Sequence, residues 1–399
     1  MRNLFCGAAV ATLLATPAVA QAAAAAPQQP TAQDDGVTEL VVTARRREEK
    51  VQDVPAAVTG ISATQLQELG GIRDIKDLSY LLPGLAFVNT GNINAENNIR
   101  GAGSGTARTA GVDSPIAVLR DGASITGGSI GGRTFTRSDL FDVERVEVTR
   151  GPQGALYGVN AVGGVLQAIT QRPRSSFGGS LGETYSPEIV RSQLDGEINI
   201  PIPRFNLGLR IGGQDVTRGK GFFRNAFNGD YGDIEKFRVG RVGLEWKPTG
   251  DLDVYMVLDQ SDEISASNTI RQVDAVNDKT LPATVFGPPD PDGPFVFGMN
   301  GSNRVNRNVL NFSTQVDWTT SLGKLTSVTL LRTRHTNFSQ DADGSAPGYA
   351  QGPFPPGTCA TRSCETVFTD LTQIASEDLR FAGEFNSRLS YMVGANIQG

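Results

Sequence analysis

Between residues 178 and 398, apolar and polar positions alternate with a period of two. Phe205, Leu207, Leu209 and Ile211 alternate with Asn206, Gly208, Arg210 and Gly212. Leu310, Phe312, Val316 and Trp318 alternate with Asn311, Ser313, Gln315 and Asp317, and Leu389, Tyr391, Val393, Ala395 and Ile397 repeat the period at the end. These runs predict about nine strands, near 178–185, 191–201, 205–217, 235–247, 252–261, 306–318, 323–336, 370–385 and 389–398. One face of each is apolar and the other charged or amide-bearing. That suits lipid outside and a wet lumen inside, and would equally suit a soluble sandwich. Connection length separates the two. The connections at 203–204, 248–251, 321–322 and 386–388 are tight, whereas 219–234, 261–305 and 337–369 are long, polar and rich in glycine or proline. Only 186–190 is short at that second end. Short turns at one end and long loops at the other is the layout of an antiparallel outer-membrane β-barrel.

Ahead of residue 173 the period changes. Residues 54–61 read as a strand. Ser62 and Gln65 form a capping box for a helix over 64–69 that stops at Gly70-Gly71. Ile72, Ile75, Leu78 and Leu81-Leu82 recur at helical spacing until Pro83-Gly84, and extended pieces follow at 85–89, 98–101 and 115–121. Residues 142–170, DVERVEVTRGPQGALYGVNAVGGVLQAIT, read as strand, glycine turn, short helix, glycine turn, strand. Residues 51–172 are therefore expected to form a small α+β domain, and 173–399 the barrel portion. The glycines make no nucleotide site: no GxxxxGK[ST] occurs, no acidic residue closes the following strand, and Gly101-Ala102-Gly103-Ser104-Gly105 leads into no helix.

The 142–170 stretch resembles the plug domain of TonB-dependent outer-membrane receptors. The resemblance is carried by Asp142, Glu144, Arg145, Val146, Glu147, Val148, Arg150, Gly151, Pro152, Gly154, Leu156, Tyr157, Gly158, Ala161, Gly163, Gly164 and Thr170. So many positions over about thirty residues make a specific signal. Ile99-Arg100-Gly101 and Arg120-Asp121-Gly122 are similar to further plug signatures. Val159 and Gln167-Ala168 depart from the usual wording. The family fold implied is an α+β plug followed by a transmembrane barrel. A plugged lumen goes with roughly 22 strands. At about 25 residues per strand and connection, nine strands leave roughly 300 residues to find. The expectation is an incomplete barrel, the N-terminal part of a longer receptor or a truncated product.

The beginning of the chain fits export. Arg2, the apolar run 8–15 and Ala18-Val19-Ala20 read as a signal peptide covering 1–20. Residues 21–35, rich in alanine, proline and glutamine, read as a mobile periplasmic arm within 21–50. Glu39, Leu40, Val41, Val42, Thr43 and Ala44 then resemble the family's TonB box, a segment that can add itself as a strand to another sheet. A first plug strand is the alternative. The run 45–50 reads as solvated charge. The partners this implies are a TonB-type energy transducer in the periplasm, outer-membrane lipid, and an extracellular small ligand such as an iron chelate.

Charge and candidate chemistry narrow the function further. Thirty-six basic against forty-two acidic residues give a formal charge of −6, and loss of Arg2 with the peptide makes it −7. That argues against nucleic acid as a partner. The single histidine, His335, has no partner motif, so no Ser-His-Asp or Cys-His scheme can be assembled and an enzyme is not expected. Cys359 and Cys364 lie in the last long loop of an exported chain, where a disulfide worth roughly 2 kcal/mol is expected. No metal site or resident cofactor is expected. Asp274, Asp278, Asp290 and Asp292 lack calcium-loop spacing. From the resemblance, Arg100, Glu144, Arg145, Glu147 and Arg150 are charges buried between plug and barrel as an openable lock. A network inside the plug is the alternative. The loops at 90–98 and 122–135, with Asn92, Asn94, Asn97, Ser124, Thr126 and Arg133, are implied to rise towards the ligand.

Overall fold

The computed structural model describes residues 41–399 apart from 48, 69–76, 83, 91–93, 104–113, 128–134, 226–228, 267–295, 298–302, 342–364 and 387–388. The strand–turn–helix–turn–strand reading of the plug stretch is realised as Val143–Arg150, Gly154–Tyr157 and Gly164–Thr170. The two strands pair antiparallel and form the centre of a five-stranded sheet. Ala57–Ser62 flanks it on one side, and Ile116–Arg120 followed by Ala123–Ser124 on the other. Only the pairing of Gly164–Thr170 with Ile116–Arg120 is parallel within that sheet.

The turn between the central strands depends on glycine. A Cβ on Gly163 would lie 2.8 Å from the Cβ of Ala102, and one on Gly164 would lie 2.4 Å from the carbonyl oxygen of Thr149. Neither neighbour can yield, because the second is ladder backbone. Helix Ala63–Glu68 starts at the expected capping box, with the Ser62 amide donating to Gln65 Oε1 (2.9 Å) and the Gln65 amide to Ser62 Oγ (3.3 Å). A second helix, Asp77–Leu81, buries Leu78 fully. Leu78, Ile99, Ile116, Val118, Val146, Val148 and Leu166 pack as one core, and Val328 and Leu330 from the barrel portion complete it. The plug therefore shares its core with the wall around it.

That wall is a nine-stranded antiparallel sheet whose strands run in sequence order. They are Gly178–Ser186, Arg191–Ile202, Leu207–Arg218, Glu235–Thr249, Leu252–Ser265, Arg304–Thr320, Gly323–Asp341, Glu365–Asn386 and Leu389–Gln398. All nine expected strands are present, several of them longer towards the long-loop end. Phe205, expected inside a strand, instead ends the turn Pro203–Phe205. Pro203 begins that turn, and Asn206 takes a left-handed φ of 50° before the strand opens at Leu207. The two faces divide as alternation requires. Phe237, Val239 and Arg241 are buried against the plug, while Arg238, Gly240 and Val242 between them are exposed. Ile198, Ile211, Val242, Leu258, Leu310, Phe312, Leu331, Leu379 and Val393 line the exposed face with apolar surface, and Trp246 and Trp318 sit close to the short turns. This is a lipid-facing band with aromatic residues at its rim. No helix among the described residues is long and apolar enough to cross a membrane.

Candidate functional site

Val41–Val42 forms a two-residue strand, but outside the plug sheet: it pairs antiparallel with Glu49–Lys50. Arg46 closes the turn between them, its amide donating to the Thr43 carbonyl (2.9 Å) with φ at 64°. Val42 and Ala44 are buried beside Val54. Thr43 is held most tightly. Its amide donates to Glu147 Oε1 and Oε2 (2.9 and 3.0 Å), its hydroxyl donates to the same carboxylate (3.1 and 3.2 Å), and Gln167 Nε2 donates to that hydroxyl (3.0 Å). The Tyr157 hydroxyl donates to the Ala44 carbonyl (3.0 Å) and reaches that of Thr43 (3.3 Å). Glu147, Gln167 and Tyr157 all belong to the strand–helix–strand stretch. The hairpin thus sits on the part of the plug that the sequence marks most strongly.

Arg46 was expected in a solvated run, and it is not solvated. Its side chain is 4% exposed, against 37% for Arg45 and 45% for Arg47. It donates to the carbonyls of Gly122 (2.8 Å) and Leu156 (3.3 Å), stacks over the Tyr157 ring at 4.3 Å, and pairs with Asp378 on the wall (3.3 Å). One side chain therefore ties the hairpin to both plug and wall. Burial pushes the Tyr157 hydroxyl up to about 12, outweighing the pull of Arg46 beside it. A raised folded pKa contributes stability that is complete below the unfolded value near 10 and lost as pH rises through about 12. The late-titrating tyrosinate absorbance is expected to lose the amplitude of one tyrosine in Tyr157→Phe. A midpoint near 10 for that residue would contradict this environment.

A second group of charges joins plug to wall. Arg120, fully buried, donates to Asp259 of the wall and lies 3.6 Å from Asp139 and 3.8 Å from Asp121. Asp139 accepts two bonds from Arg332 of the wall (2.7 and 3.1 Å), and Asp142 accepts two from Arg210 (2.8 and 2.6 Å). Arg241 donates to the Ser138 carbonyl (2.8 Å) and lies 3.4 Å from Asp259, which also accepts from Asn311 (2.8 Å). Burial alone would raise the Asp139 carboxyl. The Arg332 and Arg120 guanidinia outweigh it and hold Asp139 well below the usual carboxylate range. Burial likewise opposes the charge on Arg120, and Asp259, Asp139 and Asp121 more than compensate, so its pKa stands above the ordinary arginine value.

These pairs correct the expected lock. Arg145, Glu144 and Glu147 pair with one another inside the plug: Arg145 Nε donates to Glu147 (2.8 Å), and its terminal nitrogen to Glu144. The cause is the period of the strand. Arg145 and Glu147 lie two apart on the face that receives Thr43, while Val146 and Val148 on the other face fill the core. Arg150 donates to Thr59 on the neighbouring plug strand (3.2 Å). Arg100 is exposed at the end of Asn94–Ile99, with φ at 51°. Of the loop residues expected to face ligand, Thr126 is 4% exposed, and its carbonyl accepts from Gln398 (2.5 Å). The Ser124 carbonyl accepts from Ser376 (3.5 Å). Both meet the wall, because the short strand Ala123–Ser124 forms the plug sheet's edge. Asn94 and Asn97 fall on the strand Asn94–Ile99, and Asn92, Arg133, Cys359, Cys364, Glu39 and Leu40 lie outside the described residues. Arg120, Asp139 and Arg46 were not foreseen as plug-to-wall contacts. Arg120 stood within a noted signature, but nothing local marked the other two.

Residues 50–165 match the family described as the TonB-dependent receptor plug domain. The chain is similar to a vitamin B12 transporter of Vibrio vulnificus, 34% identical over 141 residues, which is 35% of this chain and 22% of that one. It is similar to the pesticin receptor of Yersinia pestis, 30% identical over 184 residues, or 46% of this chain and 25% of the relative. Among solved structures, the ferric yersiniabactin uptake receptor of Yersinia pestis superposes over 86% of this chain and 48% of its own, with a TM-score of 0.62 at 18% identity. The pyoverdine outer-membrane receptor of Pseudomonas aeruginosa superposes over 90% and 48%, with a TM-score of 0.66 at 16% identity. At these identities the structural likeness is one of fold. The chain spans less than half the length of the relatives it matches.

Proposed function

We infer, for a chain whose residues 50–165 are a TonB-dependent receptor plug domain, that the protein of which it is part imports a scarce ligand across the outer membrane. Residues 39–44 act as the TonB box in this reading. An inner-membrane transducer pairs with the box as an added strand, and force passed through it displaces or remodels the plug. The observation that carries the reading is the seating of Thr43. The box is held by Glu147, Gln167 and Tyr157, on the same strands and helix that form the centre of the plug sheet. A pull at residue 43 therefore acts on the plug's centre, not on its edge. Ligand classes come from the relatives, one named for vitamin B12 and others for ferric chelates. Deleting 39–44 in the full-length receptor is expected to abolish energised uptake of cobalamin, ferric yersiniabactin or ferric pyoverdine, whichever the wild type carries, and to leave surface binding in place. Uptake unchanged by the deletion would mean a passive binding barrel with a static plug.

A further inference from the structure

The chain passes from plug to wall through residues 171–177, and the wall holds this exit segment by its main chain. Asn199, 1% exposed on the strand Arg191–Ile202, acts on it as a neighbouring strand would. Its Oδ1 accepts the Arg174 amide (2.6 Å), and its Nδ2 donates to the carbonyls of Arg174 and Ser176 (2.7 and 2.5 Å). Pro173 presses on Gly208, where a Cβ would lie 2.8 Å from the Pro173 Cβ. The Tyr255 hydroxyl donates to the Gln171 carbonyl (3.2 Å), and its ring carries the Arg172 guanidinium at 4.6 Å. Arg172 in turn donates to Glu245 and Asp253 (3.2 and 3.3 Å). The Gln171 amide donates to the carbonyl of Asp142 (2.9 Å), whose carboxylate Arg210 holds, and Arg210 stands opposite Asn199 in the wall. Close packing does not explain this hold. Pro173, Arg174 and Ser175 line a cavity of about 1010 Å³ together with Glu245, Lys247 and Asp253. The segment has room to swing, and directed bonds keep it in place. Lifting it would strip a buried carboxamide of three bonds at once. The wall reaches the box hairpin differently, through the side chains of Arg46 and Asp378 at 3.3 Å.

We propose that residues 171–176 are a fixed anchor, with Asn199 as its positioning residue, and that the plug is remodelled in place about this anchor and does not leave the wall as one body. The pull at residue 43 is taken from the uptake reading, on which this rests; the anchor decides between the displacement and the remodelling which that reading leaves open. The strand Gly164–Thr170 ends where the anchor begins, so the anchored end also gives the plug a fixed place from which to reassemble after each cycle.

Two measurements test the anchor. The first needs no transport: native-state hydrogen exchange of the detergent-extracted protein in rising urea. The Gln171 and Arg174 amides are expected to open only with those of the strand Arg191–Ile202, and the Thr43 amide at far lower urea. Asn199→Ala is expected to speed exchange at Arg174 about tenfold and to leave Thr43 as in wild type. Gln171 and Arg174 amides that open as readily as Thr43 would overturn the proposal. The second is covalent. In the full-length receptor, Pro173→Cys and Gly208→Cys together reach disulfide spacing after a relaxation of about 1 Å. Uptake of cobalamin, ferric yersiniabactin or ferric pyoverdine, whichever the wild type carries, is expected to be the same before and after oxidation, since the bridge ties what does not move. Uptake lost on oxidation and regained with reductant would mean that the segment must lift, and would also overturn it. Failure of the uptake reading shows itself elsewhere, as wild type and the 39–44 deletion taking up ligand alike, and the exchange measurement still decides whether the segment is fixed.

Discussion

Arg120→Met is expected to cost about 3–5 kcal/mol of stability, the range for removing one partner of a buried ion pair. Arg120 is fully buried and lies among Asp259, Asp139 and Asp121. Without it Asp139 keeps Arg332, and Asp259 keeps Arg241 at 3.4 Å and the Asn311 amide. The cluster nevertheless passes from a balance of three positive and three negative groups to a net negative charge among side chains that are almost wholly buried. Urea unfolding of the detergent-extracted protein reads the effect as a lowered midpoint at unchanged slope. The double variant Arg120→Met/Asp259→Leu is expected to recover much of the loss, because replacing a buried pair by apolar groups of similar volume is often near neutral. A midpoint for Arg120→Met equal to wild type would mean that these charges are satisfied by water and do not bind plug to wall.

Glu147→Ala is expected to release the hairpin of Val41–Val42 and Glu49–Lys50 without unfolding the plug. Glu147 accepts both the amide and the hydroxyl of Thr43, and these are charge-assisted bonds worth about 1.5–3 kcal/mol each. Losing them, and leaving Arg145 without its 2.8 Å partner, raises the exchange rate of the Thr43 amide roughly ten- to hundredfold. Amides of Val146 and Val148, which belong to the core strand, keep their protection. Equal acceleration in both groups would mean that Glu147 supports the plug as a whole and does not hold the hairpin at Thr43 specifically.

Local chemistry made much of this architecture legible. Alternation at Leu310–Trp318 and Leu389–Ile397 located wall strands and their lipid face, because a period of two is imposed by the strand itself. The unequal connections told the two ends apart. The strand–helix–strand element followed from Gly163 and Gly164, where no side chain fits. The plug-to-wall pairs were not legible. Arg120 meets Asp259 across 139 positions and Asp139 meets Arg332 across 193, and no local pattern encodes which of many similar charges will meet. The same limit put Glu147 in the wrong role: its sequence neighbours show a charged strand, and only the fold shows that its face receives Thr43. Arg46 looked like one of six charges in a run, although it turns inward to Asp378.

The most direct test of the central claim is the affinity of the periplasmic domain of the host's TonB-type transducer for the detergent-extracted protein, measured by calorimetry on wild type, a 39–44 deletion and Glu147→Ala. Binding to wild type, no binding after the deletion, and about tenfold tighter binding to Glu147→Ala are expected, since the variant no longer spends interaction energy holding the box. Binding that survives the deletion unchanged would contradict the claim that residues 39–44 are the handle by which the plug is moved.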